Sequence, residues 1–315
     1  MSRIRRPSTT FLSVFVSVVL LSASAAGAGD GRTEINQAGV VAAGGFPFGI
    51  SQPGSYVLTS NLTVSDPDTD AIHIATDDVT LDLGGFTISG PVSCTGGTGG
   101  VAISCLPAGQ GSGIVSDDIF NADVIRSNLI VRNGTIQGFA QNGILFFFHE
   151  FGFILQDVTI SDTGEFAALL QGAVVRNSVL RQSGDVEIDQ SVVSEVSAFG
   201  IDDDFTVNEA VVTQSTMSGG NANGVNAGAG VVVVDNTIRE NGENGISCSF
   251  CLANGNAIDD NGLNGIQIST SGSFTGGYTN NVIFDHPGGV SASGGIYLFP
   301  NLCDGSTSSG ACSTP

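Results

Sequence analysis

The chain has 315 residues, with 45 glycines, no tryptophan, no lysine and only 12% charged residues. Plentiful valine and isoleucine with so little charge argue against disorder, and glycine does not recur at every third position, which excludes collagen. The net charge is −21, which argues against nucleic-acid binding because phosphate backbones would be repelled. The same acidity disfavours anionic lipids, and anionic polysaccharides unless a cation intervenes. What remains is a β protein with many glycine- and asparagine-rich turns.

The first residues are typical of an export signal. Three arginines precede an apolar run over Phe11–Leu21, and small residues then offer A-x-A cleavage at Ala25 or Ala28. The run is short for a transmembrane span, and no other segment approaches the required apolar length. We therefore predict a Sec-type signal peptide over residues 1–28. The processed protein would be secreted, periplasmic or at the cell surface, without a membrane span.

The rest of the chain divides by composition into three parts. Residues 29–49 are predicted to cap the first coil, with a short helix over Glu34–Ala43. Residues 50–299 carry a repeat, interrupted by a glycine-rich excursion over residues 90–113, and residues 300–315 form a polar tail. A cap is expected because an open end of stacked strands would leave unpaired backbone groups.

Six cysteines fall into three local pairs: Cys94 with Cys105, Cys248 with Cys251, and Cys303 with Cys312. An oxidising compartment favours disulfides. The alternative for Cys248 and Cys251 is metal binding, since they form a C-x-x-C motif. A structural zinc site needs four ligands, however, and no second motif accompanies this one.

A recurring four-residue segment is the strongest signal in the sequence. Eight copies end on Ile136, Ile160, Leu180, Val193, Met217, Ile238, Ile258 and Ile283, at intervals of 13 to 25 residues with a mean of 21. The interval of 13 residues before Val193 is the one clear irregularity. The segments begin with Asn, Asp, Gln or Gly; asparagine and glycine in particular tolerate the left-handed backbone of a tight corner.

A second apolar anchor follows each segment by seven to nine residues, at Ile144, Leu169, Ile188, Ile201, Val225, Ile246, Ile266 and Val290. Units this short have no room for a crossover helix, so successive units must stack in parallel. We predict an all-β solenoid of about nine to eleven coils, stacked about 4.8 Å apart. The inward residues should include Ile136, Ile144, Ile160, Ile238, Ile246, Ile258 and Ile266.

Gly54–Thr63 and Asp70–Ile88 resemble the opening coils of bacterial secreted right-handed parallel β-helix proteins, the pectate lyase-like superfamily. Leu129–Phe139 and Gly172–Leu180 continue the likeness, which covers residues 50–295. The resemblance implies a single-stranded right-handed parallel β-helix. It is specific for the fold and weak for function, because the superfamily includes pectate lyases, polygalacturonases, epimerases and phage tailspikes.

Outward-facing carboxylates are the candidate functional site. If Ile188 and Ile201 point inward, Asp189 and Asp202 point outward in one column. Two carboxylates one strand apart repel each other unless one is protonated or a cation lies between them. Calcium suits such oxygen ligands, as in the pectate lyases of the resembling superfamily. The candidate calcium ligands are Asp185, Glu187, Asp189, Asp202 and Asp204.

The sequence gives weaker evidence for a catalytic site than for a calcium site. Candidate catalytic residues are Asp189, Asp202, Asp204 and Arg181, with Arg176 and His149 as neighbours; the alternative is that these acids are solvated surface charge. Polygalacturonase-like hydrolases carry Gly-His-Gly and Arg-x-Lys segments, and this sequence has neither. The aromatic cluster Phe146, Phe147, Phe148, Phe151 and Phe153 is either core stacking or a docking patch.

Two classes of function follow. The chain is either a polysaccharide-interacting or scaffold protein without turnover, or a polysaccharide lyase or glycoside hydrolase acting through outward carboxylates, with calcium as a candidate cofactor. The absence of tryptophan and the presence of only three tyrosines weigh against a stacking-based sugar site. The sequence does not define an oligomeric state.

Overall fold

The computed structural model describes residues 31–116, 126–146, 152–269, 276–287, 292–298 and 300–303. The predicted signal peptide lies outside these ranges, as do Phe147, Phe148, His149, Phe151, Val290 and Cys312. In the described part of the chain, no helix has the length and apolarity needed to span a membrane.

The described residues contain one short helix, Gln37–Ala42, and many short strands. The first strands are Thr33–Ile35, Phe48–Ile50, Gly54–Leu58, Leu62–Thr63, Ile72–Ile74, Val79–Asp82, Thr87–Ser89, Ser93–Thr95, Ser104–Leu106 and Ile114–Ser116. They are followed by Leu129–Phe139, Ile144–Phe146, Phe153–Gln171, Ala173–Arg176, Val179–Asp189, Val192–Ser194, Ser197–Ile201, Phe205–Asn208, Val211–Thr213 and Thr216–Ser218. The last are Val225–Val234, Thr237–Arg239, Ile246–Asn254, Ala257–Asp259, Ile266–Ile268, Gly277–Thr279, Val282–Phe284, Ala292–Ser293, Ile296–Tyr297 and Leu302–Cys303.

The strands confirm the predicted solenoid. Apart from one antiparallel hairpin, each strand pairs in parallel with strands one coil away; Ile136, for example, lies opposite both Ile88 and Ile160. The stack has about 12 turns, slightly more than predicted. Residues assigned to the cap already take part in it, since Glu34 pairs with Val57 and Gly49 with His73.

Three strands per coil stack into three faces. Face A includes Ile72–Ile74, Ile114–Ser116, Ile144–Phe146, Phe205–Asn208 and Ile266–Ile268. Face B includes Val79–Asp82, Ala173–Arg176, Val192–Ser194, Val211–Thr213 and Gly277–Thr279. Face C includes Thr87–Ser89, Ser197–Ile201, Thr216–Ser218, Thr237–Arg239 and Ala257–Asp259. Longer strands turn a corner and belong to two or three faces, as Val179–Asp189 does.

The corners between the faces use left-handed backbone. Between faces B and C, the positive φ angle falls on Asn133, Asp157, Asn177, Glu195, Gln214, Asp235, Gly255 and Asn280. Between faces C and A it falls on Gly138, Asp162, Gln182, Gly200, Gly219, Glu240, Asp260 and Asp285. Asparagine, aspartate and glycine are the residues that reach this conformation most readily, and they occupy twelve of these sixteen corners, with glutamine or glutamate at the other four.

The interior of the solenoid is apolar and closely packed. The seven isoleucines predicted to point inward are each at most 1% exposed, which confirms their placement. They stack in rows, so that each coil buries its apolar side chains against the coils above and below.

Buried asparagines add a second, polar element to the interior. Asn236, Asn256, Asn281 and Asn301 lie in successive coils, and the side-chain oxygen of each of the last three accepts from the backbone and side-chain N–H groups of the asparagine before it. Their side-chain amides also donate to backbone carbonyls, so Asn256 reaches Val233 at 2.9 Å. This asparagine ladder satisfies backbone groups that the corner removes from strand pairing.

The register in the middle of the chain differs from the one predicted. The inward row of face C passes from Leu180 to Ala198 and then to Met217. Val193 belongs to face B, opposite Val175 and Val212. The short interval of 13 residues, from Leu180 to Val193, therefore connects residues on two different faces. The strand that contains Val193, Val192–Ser194, also follows a left-handed corner, at Gln190, which is why its local sequence resembles that of a face C strand.

In the second row of predicted anchors, Leu169 is also wrongly assigned, in the same part of the stack. On face A, Ile144 pairs with Ala168, Ala168 with Val186 and Val186 with Phe205. Leu169 therefore points outward and is half-buried, between two buried neighbours.

Two local disulfides are present as expected. Cys94 is bonded to Cys105, across the antiparallel hairpin, and Cys248 to Cys251. Cys303 is also disulfide-bonded, and its expected partner lies outside the described residues. The C-x-x-C pair is thus held as a disulfide and not as a pair of metal ligands.

Candidate functional site

The predicted acidic column has a different composition in the structure. Asp189, at the end of Val179–Asp189, lies opposite Gln171 and Asn208, and not beside Asp202 as predicted. The prediction placed Ile188 and Ile201 in one row, whereas Ile188 pairs with Val207. Asp189 and Asp202 therefore do not form the stacked carboxylate pair that motivated the calcium hypothesis.

A different acidic cluster forms at the corner between faces C and A. The turn carrying Asp202, Asp203 and Asp204 lies directly on the preceding coil. The amide of Asp202 donates to the Ser183 carbonyl at 2.9 Å, and that of Asp203 to the Gly184 carbonyl at 2.8 Å. The amide of Asp204 donates to Oδ1 of Asp185 at 3.2 Å. We call Asp185, Asp202, Asp203 and Asp204 the acidic site.

Burial and like charge perturb this site. Desolvation, followed by the charge of Asp203, raises the pKa of Asp185 to about 7, although the Val186 amide that donates to its carboxylate opposes the shift. The pKa of Asp203 is also raised, by burial and then by Asp202 and Asp204. Two residues further along the same strand, on face A, burial and then Asp189 raise the pKa of Glu187. Near neutral pH, Asp185 is therefore present in both protonated and ionised forms.

Asparagine amides one coil further on pair with the carboxylates. Asn208 donates its side-chain amide to Asp189 at 2.8 Å, and Asn221 donates to Asp202 at 2.7 Å. Each asparagine follows its aspartate by 19 residues.

Asp204 has the fullest set of amide partners. Its Oδ1 accepts from the backbone and side chain of Asn223, both at 2.9 Å, and its Oδ2 accepts from Asn226 at 2.7 Å. Neutral amides thus contact three of the carboxylates predicted as calcium ligands, those of Asp189, Asp202 and Asp204. Over the residues that the structure describes, no group of three or more His, Cys, Asp or Glu side chains is arranged to hold a metal ion.

The disulfide-bonded hairpin forms a wall beside the acidic site. Its strands are Ser93–Thr95 and Ser104–Leu106. The hairpin runs along the solenoid, since the Cys94 amide donates to Asp162 at 3.4 Å while the tip contacts Asn221.

Asn221 fastens the tip of this hairpin. Its Oδ1 accepts from the Gly100 amide at 2.7 Å, and its Nδ2 donates to the Val101 carbonyl at 2.7 Å. The same Nδ2 donates to Asp202. The close approach also needs glycine, because a Cβ on Gly200 would lie 3.0 Å from the Thr98 methyl group. Asn221 therefore links the hairpin directly to the acidic site.

The other predicted site residues lie elsewhere. Arg176 is on face B, where its guanidinium donates to Gln156 at 2.6 Å. Arg181 is on face C, opposite Ser161 and Phe199. His149 lies outside the described residues. Phe146 and Phe153 are buried and in edge-to-face contact, with ring centroids 4.7 Å apart, so these two members of the aromatic cluster belong to the core.

Sequence reasoning missed Asp203 and the four asparagines at positions 208, 221, 223 and 226. One signal was available. The aspartates at 189, 202 and 204 are each followed after 19 residues by an asparagine, and that distance is one coil in this part of the stack.

Comparison with known proteins agrees with this architecture. Residues 170–299 match the family described as right-handed beta helix region. The match covers less than half of the chain, and the strands on both sides of it continue the same parallel β-solenoid. No curated protein is similar to it in sequence.

Several solved structures are similar to this chain at low sequence identity. The A-module of the mannuronan C-5 epimerase AlgE6 from Azotobacter vinelandii is 16% identical, with a TM-score of 0.43 over 85% of this chain and 92% of that one. A variant of the periplasmic alginate epimerase AlgG is 10% identical, with a TM-score of 0.47 over 86% and 83%. The Dettilon tailspike protein is 12% identical, with a TM-score of 0.46 over 85% and 66%.

Proposed function

We propose that this β-helix protein is exported and binds a polysaccharide at the acidic site, between face A and the hairpin. The observation that carries the proposal is the combination of carboxylates, amides and one carboxyl with a pKa near 7 at a single corner. A carboxyl group with a strongly shifted pKa is typical of a functional site. Export is supported by the disulfides and by the amino-terminal signal pattern.

The donor and acceptor groups suit sugar hydroxyls. A hydroxyl both donates and accepts, so it is best met by neighbouring acceptors and donors. Asp203 offers an exposed carboxylate, while Asn226 and Thr206 offer partly exposed polar groups on face A. Among the described residues, no basic side chain forms an ion pair with the carboxylates of this corner. A polysaccharide of neutral sugars therefore fits better than one of uronates, whose carboxylates would be repelled.

Binding to a panel of soluble neutral polysaccharides and uronates, measured by affinity electrophoresis, tests the proposal. We expect retardation by at least one neutral polysaccharide. The substitution Asp203→Asn should weaken that retardation about tenfold or more, because a charged hydrogen bond is lost. Asp259→Asn is the matched control, since Asp259 is an exposed acid on face C. Equal retardation of both variants, or retardation only by uronates, would contradict the proposal.

The raised pKa of Asp185 supports a second candidate, a glycoside hydrolase. A carboxyl that is half protonated near neutral pH is poised to protonate a leaving-group oxygen, and Asp203 and Asp204 lie beside it as further carboxyl groups. Such an enzyme releases new reducing ends from the bound polysaccharide. Asp185→Asn should then abolish release without abolishing binding. Products with the ultraviolet absorbance of unsaturated sugars would indicate a lyase instead. If no product forms, the protein binds the polysaccharide without cleaving it.

A further inference from the structure

The hairpin that forms the wall of the acidic site is separate from the sheet of the solenoid. Among the described strands, Ser93–Thr95 and Ser104–Leu106 pair only with each other, whereas the other 28 strands form one sheet. Each strand of the hairpin has three residues. A two-stranded hairpin of this size is marginally stable in water by itself, so its shape depends on what else holds it.

Few contacts hold the hairpin against the solenoid. Of residues 93–106, only Cys94 and Gly97 are buried. In the described part of the chain, three hydrogen bonds join this segment to the solenoid: the one that Asp162 accepts and the two that Asn221 makes with the tip. A segment with so little buried surface and so few hydrogen bonds opens locally at low cost in free energy.

The disulfide is the covalent element that keeps the hairpin closed. Cys94 lies opposite Cys105 in the antiparallel pair, 11 residues away in the sequence. Closing such a loop removes chain entropy from the open form, which favours the closed hairpin about 100-fold over the same chain with two thiols. The tip that contacts Asn221, at Gly100 and Val101, lies inside the closed loop. Docking of the tip therefore depends on the disulfide.

The two disulfides with both partners described differ in accessibility. Cys105 is half-buried, between exposed neighbours on the hairpin. Cys248 and Cys251 are 3% and 5% exposed and belong to the interior of the solenoid. Thiol–disulfide exchange requires a thiolate to reach a sulfur atom. A reductant therefore reacts with the hairpin disulfide before it reacts with the buried one.

We infer that the Cys94–Cys105 disulfide is a redox switch for the acidic site, an inference that rests on the proposed function of that site. A thiolate of a dithiol reductant attacks Cys105 Sγ, and the S–S bond breaks to release the Cys94 thiolate, which takes up a proton. The second thiol of the reductant then displaces Cys105 as a thiol. The reductant leaves as a disulfide, and its two electrons and two protons remain on the two cysteine thiols.

Reduction acts on the site through Asn221. Its Nδ2 donates both to the Val101 carbonyl of the tip and to Asp202. When the tip is released, Asn221 loses both of its contacts with the hairpin, and the acidic site loses the wall beside Asp202. The site is then complete only in an oxidising compartment, which an exported protein reaches after export.

Hydrogen exchange of the Gly100 amide tests the switch without any polysaccharide. Dithiothreitol should accelerate this exchange about 100-fold in the wild type. The control is the Ala257 amide, which donates to the Asn236 carbonyl at 2.8 Å within the solenoid and should exchange at an unchanged rate. The double variant Cys94→Ser with Cys105→Ser should exchange rapidly at Gly100 with or without dithiothreitol. Circular dichroism verifies that each form keeps its β structure.

Affinity electrophoresis measures the effect of the switch on binding. Reduction should weaken retardation by the neutral polysaccharide at least about tenfold, because the fraction of molecules with a docked wall falls. The double serine variant should bind as weakly as the reduced wild type and should not respond to dithiothreitol.

The two assays separate failure of the switch from failure of the proposed function. If the oxidised protein is retarded and reduction changes nothing, the switch is overturned and the proposed function stands. The same holds if dithiothreitol weakens binding by the double serine variant, because another disulfide is then responsible. If the oxidised protein is retarded by no polysaccharide, the proposed function fails, and unchanged exchange of the Gly100 amide on reduction overturns the switch as well.

Discussion

Removing one member of the asparagine ladder should destabilise the protein far more than removing a similar residue from the surface. Asn256 is 1% exposed. Its Oδ1 accepts from the backbone and side-chain amides of Asn236, both at 3.0 Å. Its Nδ2 donates to the Val233 carbonyl and to Asn281 Oδ1, both at 2.9 Å. The substitution Asn256→Ala removes all four contacts.

The magnitude follows from those contacts. A buried hydrogen bond contributes about 1 kcal/mol net, so four give about 4 kcal/mol. The backbone amide of Asn236 and the carbonyl of Val233 lose a partner inside the solenoid, where water does not replace it, which adds to the loss. We expect the free energy of unfolding to fall by at least about 4 kcal/mol.

Urea unfolding followed by circular dichroism measures this loss. The control is Asn254→Ala in the same coil, because Asn254 faces outward and its side chain accepts one exposed hydrogen bond, from Asn280 at 3.0 Å. The control should lose no more than about 1 kcal/mol. If Asn256→Ala and Asn254→Ala lose the same free energy, the ladder is not a source of stability and the reasoning is refuted.

Two further predictions concern the acidic site and its wall. Asn221→Ala should release the hairpin tip, so that hydrogen exchange of the Gly100 amide accelerates while the unfolding midpoint of the solenoid barely changes; unaltered exchange would contradict the role given to Asn221. For Asp185, burial raises the pKa to about 7, above the unfolded value, so ionisation in the folded state costs stability as the pH rises from about 4 to about 7. Asp185→Asn should therefore stabilise the protein at about pH 8 and have little effect at about pH 4. Asp259→Asn should show no such difference, and an equal effect of Asp185→Asn at both pH values would argue against the raised pKa.

The sequence alone determined the class of fold. The repeat length excludes crossover helices, the turn residues permit left-handed corners, and the strands alternate apolar and polar residues. These features involve residues close together in the sequence, so they can be recognised without the structure. The inward positions of Ile136, Ile160 and Ile258 were predictable for this reason, and so was the local pairing of Cys94 with Cys105.

Only the tertiary structure decided which face each segment joins. The corner at Gln190 and the corner at Glu195 both adopt positive φ, and the strands that follow both alternate in the same way. Local sequence therefore does not distinguish face B from face C. The stack does, because Val193 packs in register with Val175, whereas Ala198 takes the place that the repeat assigned to Val193.

That difference in register moved the candidate site. Sequence spacing paired Asp189 with Asp202, while the coils bring Asp203 and Asp204 to Asp185 and an asparagine to each of Asp189 and Asp202. The hairpin wall depends on contacts between residues about 120 positions apart, such as Gly100 with Asn221. No local pattern encodes such a contact, because it results from the length of the hairpin and the number of coils that it crosses.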